Sequence, residues 1–136
     1  MTADLSAIIA RLEAAEAGSR ELDAHVEVAA RAFEAAKTGL AREHWAVWRA
    51  NSSGIIGDDA TQYASEPVTT SLDAALALAE RVLPGKEWML VKSTEGGETS
   101  FHALIGPDSL GRAGEAASAA LALCIAILRA KQGEGE

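Results

Sequence analysis

Apolar side chains return at Leu5, Ile8, Ile9 and Leu12, the spacing of one helix face, so the pattern predicts a first helix near residues 4 to 16. Its other face is charged, and Gly18 stands where such a helix can stop. Ser19 is placed to cap a second helix, Glu21 in the first turn suits the helix dipole, and Leu22, Val26, Ala29, Phe33 and Ala36 form an inward stripe that Gly39 would end. The pattern then changes period. Trp45-Ala46-Val47-Trp48-Arg49-Ala50 is a short aromatic and β-branched run followed by Asn51-Ser52-Ser53-Gly54, which predicts a strand and a turn. Residues 55 to 68 are the least regular, and Gly57-Asp58-Asp59 and Pro67 predict a loop with one short strand around Ile55.

Thr70-Ser71-Leu72-Asp73 has the spacing of a capping box and opens a helix carrying Leu72, Ala75, Leu76, Ala79, Val82 and Leu83, which Pro84-Gly85 closes. Trp88 to Lys92 reads as a strand, Glu95-Gly96-Gly97-Glu98 as a tight turn, and Thr99 to Ile105 as the returning strand with Phe101, Ala103 and Ile105 on one face. A last helix is expected from Glu115 to Lys131, apolar on nearly every side between Leu121 and Leu128, so it calls for burial on more than one face. The order α-α-β-α-β-β-α holds no internal repeat and no linker. The expected class is α/β in the broad sense, more narrowly α+β: one domain over 1–136 with frayed ends at 1–3 and 132–136, and helices packed on a small, mainly antiparallel sheet of three to four strands.

Composition narrows the range of functions. Much of the 49% hydrophobic content is alanine and only 4% of residues are aromatic, which favours close helix contacts over large rings. Asp and Glu outnumber Lys and Arg by 20 to 12, for a net charge of −8, so adhesion to nucleic acid or to an anionic membrane surface is disfavoured. The run from Ala116 to Leu128 is shorter than the roughly 20 residues that cross a bilayer. The lone Cys124 has no internal disulfide partner, and Met1-Thr2-Ala3-Asp4-Leu5 lacks the basic and apolar regions of a secretory signal, so the expected compartment is the cytoplasm.

The candidate chemistry is sparse. Gly106-Pro107-Asp108-Ser109-Leu110-Gly111 has the glycine spacing of a phosphate loop, but Arg112 and Ala113 replace the lysine and hydroxyl residue that would reach the phosphate and the metal. Gly106 and Pro107 are read instead as the end of the hairpin, and Gly111 and Gly114 as relaxing the lead-in to the last helix. His25, His44 and His102 show no paired ligand spacing, Asp58 and Asp59 lack the further oxygens of a calcium loop, and no Gly-x-Ser-x-Gly elbow occurs. Cys124, in an apolar helix, is read as core. No catalytic, cofactor or metal residue is assigned. Trp45, Trp48, Tyr63 and Trp88 are the candidate interface, with core packing of the sheet as the default reading of the same rings.

Four stretches carry a family likeness: Arg11-Leu12-Glu13-Ala14-Ala15, Arg20-Glu21-Leu22-Asp23-Ala24, Thr70-Ser71-Leu72-Asp73-Ala74-Ala75-Leu76 and Ala120-Leu121-Ala122-Leu123-Cys124-Ile125-Ala126. They resemble small phage- and prophage-encoded proteins with the phage α-β-α sandwich domain. Ala17-Gly18-Ser19 stands where that family often has a Gly-Pro-Asp turn. The resemblance implies a sandwich fold, a phage or prophage origin and a phage-infected or lysogenic bacterial host. It brings no activity, so no catalytic residue is transferred.

The leading expectation is a non-enzymatic accessory or interaction protein with an unidentified protein partner. Close packing of the alanine-rich last helix against its copy would also allow a homodimer. Two alternatives stay open. An acidic mimic of nucleic acid would need its carboxylates aligned on one face, and a small enzyme or ligand-binding domain would need the fold to gather His44, Tyr63, His102 and Asp58 or Asp59.

Overall fold

The computed structural model describes residues 5–38, 49–57, 62–106 and 113–134. Helix α1 (Leu5–Ala14) buries Ile9 and Leu12, two positions of the apolar stripe. Helix α2 (Arg20–Thr38) starts where Ser19 Oγ accepts the Leu22 N–H at 3.1 Å, and Glu21 and Asp23 lie in its first turn. Both helices follow the sequence pattern; the stop expected at Gly39 lies outside the described residues.

Strands β1 (Arg49–Ala50), β2 (Ile55–Gly57) and β3 (Gln62–Ala64) form an antiparallel meander in the order β1-β2-β3, with Ile56 opposite both Ala50 and Tyr63. Helix α3 (Leu72–Val82) begins at the expected residue with a different cap. Ser71 Oγ accepts the Ala74 N–H at 3.2 Å, so Ser71 is the N-cap, and Asp73 stands one position too early to return the second bond of a capping box.

Strands β4 (Trp88–Glu95) and β5 (Glu98–Ile105) form the predicted hairpin. Gly96 and Gly97 both have positive φ, 59° and 86°, which a two-residue type I′ turn requires and side chains resist. Strand β6 (Ala113–Ala116) then pairs with β5, Ala103 opposite Gly114 and Phe101 opposite Ala116, and helix α4 (Ala119–Glu134) follows. The last helix therefore begins later than expected. Residues 113–116 satisfy the second edge of β5, and Ser118, whose Oγ accepts the Leu121 N–H at 3.3 Å, supplies the helix cap that Glu115 cannot.

Gly114 was expected to loosen the approach to that helix, and the structure corrects this. A Cβ at Gly114 would lie 2.1 Å from the Ala122 carbonyl oxygen, so glycine is there to let β6 press directly on α4. The expectation for Gly111 lies outside the described residues.

The class is α+β, and the helix and strand order follows the expected one, with β2 resolved as a strand near Ile55 and β3 and β6 added. The strands divide between two sheets instead of one, because the short turns at 51–54 and 96–97 favour pairing between neighbours in sequence. The β4-β5-β6 sheet packs on α4, the β1-β2-β3 sheet packs on α2, and α1 and α3 touch both helices. Every residue from Ala120 to Leu128 is buried, which meets the demand of a helix apolar on all sides. No helix among the described residues is long and apolar enough to cross a membrane.

Candidate functional site

Helix α2 carries Asp23 and Glu27 one turn apart, beside its apolar stripe, so the packing that buries Leu22 and Val26 takes both carboxylates inside. Buried carboxylates require partners. Asp23 Oδ1 accepts the Thr69 backbone N–H at 2.8 Å and the Thr69 hydroxyl at 2.5 Å, while Oδ2 accepts Arg20 Nη1 at 2.6 Å. Thr69 Oγ1 in turn accepts the Ser19 N–H at 3.0 Å. Arg20 Nη2 reaches the Ser65 carbonyl at 2.6 Å, and Ser65 Oγ donates to the Gly54 carbonyl at 2.8 Å. Glu27 Oε1 lies 3.4 Å from Arg81 Nη1 of α3. The network joins the start of α2, the turn before α3 and the first sheet, and Gly18 permits it because a Cβ there would sit 2.1 Å from the Thr69 carbonyl oxygen.

Chemically this network is a staple. Asp23 is fully buried and its oxygens accept three protein donors, so the carboxylate is held inside the fold and away from solvent. Cys124 belongs to the same interior, its Sγ 3.3 Å from the Val68 carbonyl oxygen. Complete burial pushes the thiol far above its ordinary pKa, and the nearby charges of Asp23 and Glu27 push in the same direction. Cys124 is therefore expected to resist Ellman's reagent in the native protein and to react fully once denaturant unfolds the chain. Stoichiometric labelling of the folded protein at neutral pH would contradict this burial.

The second cluster lies on the outer face of the β4-β5-β6 sheet. His102 Nε2 is 3.4 Å from Ser100 Oγ and 3.7 Å from Glu115 Oε2. A serine, a histidine and a carboxylate thus meet, but in the wrong arrangement for a nucleophilic relay. The relay needs the carboxylate on Nδ1, leaving Nε2 to take the serine proton, whereas here both groups address Nε2. What remains is a half-exposed polar contact.

The residues considered from sequence are dispersed. His25 is on α2 near Arg11 and Glu21; burial foremost, then the Arg11 charge, lowers its pKa against the opposing pull of Glu21. His102 is on β5. Tyr63, on β3, lies beneath the Arg31 guanidinium at 5.3 Å and is 47% exposed, and Trp88, on β4 of the other sheet, is 45% exposed. Core packing, the default reading, therefore does not describe these two rings. Trp45, Trp48, His44, Asp58 and Asp59 lie outside the described residues. Among the described residues no group of three His, Cys, Asp or Glu side chains is placed to hold a metal ion.

Sequence reasoning missed Met89, at 55% the most exposed large apolar residue among the described residues, and Val91, two positions on, at 41%. The signal was present. Trp88-Met89-Leu90-Val91 is apolar on both strand faces, and a hairpin covered by helices on one side leaves the other side in water. Met89 stands opposite Leu104 and Val91 opposite His102, so the outward apolar residues form one patch edged by the Ser100, His102 and Glu115 contact. The arrangement defines an α+β protein with a stapled interior and an exposed apolar strand. No protein-family model, curated protein or solved structure matches this chain.

Proposed function

We propose that the chain is a non-enzymatic interaction module, of the phage- or prophage-encoded kind its sequence resembles, which works by binding protein through the β4–β5 region. The observation that carries the reading is the exposed outer-face patch of Met89 and Val91, on a strand whose helix side also leaves Trp88 exposed, while most other large apolar groups among the described residues are turned inward. Exposed apolar clusters with a polar border are a feature of protein-binding surfaces, where a few large side chains supply most of the affinity. The Ser100, His102 and Glu115 side chains provide such a border. A net charge of −8 supports a protein partner over nucleic acid.

The test is affinity purification of tagged chain from its native host during prophage induction, beside the Met89→Glu variant. The expected result is a stoichiometric protein partner held by the parent chain and reduced at least tenfold by a charge in the patch. A small metabolite retained without any protein would overturn the reading.

A further inference from the structure

The hairpin register fixes which backbone groups of β4 face away from β5. In a two-residue hairpin the residues flanking the turn, Glu95 and Glu98, form a hydrogen-bonded pair, and such pairs recur at every second position along the ladder. Glu95, Ser93, Val91 and Met89 therefore spend their N–H and C=O groups on β5. The Gly106 N–H bonded to the Glu87 carbonyl at 2.8 Å continues the same alternation. It follows that Trp88, Leu90, Lys92 and Thr94 direct their backbone groups away from β5. Among the described residues no strand pairs with that edge. This edge is eight residues long, without proline or bulge and with one charge between its ends, so it carries little of the protection that keeps edges from pairing.

We propose that the occupant of this edge is the β4 strand of a second copy of the chain, paired antiparallel about a two-fold axis at Leu90. The proposal rests on the interaction reading above and names its partner. Charge and strand length select the register. With Leu90 opposite itself, Lys92 faces Trp88 of the other copy on the helix side, a cation over an aromatic ring, and Met89 faces Val91 on the outer side. The face pattern forbids a slip of one residue, because that would exchange the helix-side and outer sets. A slip of two in one direction puts Glu87 opposite Glu95, like charges, and in the other leaves only residues 88–90 of each strand paired. The chosen register joins two three-stranded sheets into one and brings the Met89 and Val91 patches of the two copies together.

Sedimentation of the full chain tests the pairing. The expected mass is twice 14.1 kDa, falling to one copy in Lys92→Pro with an unchanged far-UV circular dichroism spectrum. Proline there removes an edge-directed N–H and leaves the β4–β5 ladder its bonds. An oxidised equimolar mixture of Met89→Cys and Val91→Cys chains should give the mixed disulfide as its main cross-linked product, since non-hydrogen-bonded antiparallel pairs lie at disulfide distance. A folded wild-type monomer at the highest soluble concentration, a dimer indifferent to Lys92→Pro, or Val91→Cys cross-linking mainly to itself would each overturn the proposal. A monomer that still captures a protein from the host would sink self-pairing alone; a dimer that captures only a metabolite would sink the wider reading instead.

Discussion

Gly114→Ala is expected to lower the unfolding free energy by about 3 kcal/mol, the upper end of what added core volume costs. One methyl group has this effect because of what it would meet. Beyond the Ala122 carbonyl oxygen, its position lies 2.8 Å from the Ala126 backbone nitrogen and 2.9 Å from Ile125 Cβ. Backbone atoms of a helix cannot step aside singly, so β6 and α4 must separate as bodies. Helix α4 has nowhere to retreat, since α1 and α3 pack against it as well. Denaturant titration measures the loss, with Glu115→Ala on the exposed side of the same strand as control, expected within about 0.5 kcal/mol of the parent. If Gly114→Ala matched that control, the close contact between β6 and α4 would be refuted.

Asp23→Ala is expected to cost a similar amount, about 3 kcal/mol, through a different mechanism. The carboxylate is fully buried and receives three protein donors, so its removal leaves the Thr69 N–H buried without an acceptor and Arg20 without its ion-pair partner. Arg20 is half exposed and can turn to water, which limits the electrostatic part; the orphaned Thr69 amide sets the rest. Asp23→Asn, which keeps one carbonyl acceptor, should lose roughly half as much. Amide hydrogen exchange gives a second measurement, with protection at Thr69 and Ser19 falling ahead of protection in α4. A loss no greater than the approximately 1 kcal/mol typical of a helix cap would reduce the network to the Ser19 cap alone.

The elements legible in the sequence were those with a local cause. Leu5, Ile8, Ile9 and Leu12 define a helix face without help from the rest of the chain, and Gly96-Gly97 between two apolar runs demands its turn. The start of α3 at Leu72 was readable for the same reason, although the capping partner moved by one residue. Strand β6 was not readable, because Gly114 has one meaning beside a loop and another beneath a helix, and only the approach of α4 decides between them. The division into two sheets depends on which strands find each other across α2 and α4. Asp23 and Glu27 border the inward stripe of α2, so their spacing hinted at burial, but their partners Thr69 and Arg81 lie far along the chain. On β4 the ring of Trp88 stands out in the sequence, while Met89 and Val91 do not, because they extend a run that also feeds the core through Leu90.

Helix α4, enclosed by strands and helices, also sets the order of events during synthesis. It follows α1, α3 and the β4–β5 hairpin in the chain, so it leaves the ribosome after them, and its residues 120–128 are all buried in the finished molecule. Until residues 119–134 emerge, the stripes of α1 and α3 and the inner face of the β4–β5 hairpin have no completed surface to cover them. The nascent chain carries these apolar faces uncovered until then and closes around α4 once it has emerged, a period in which a holding chaperone would have the most to protect.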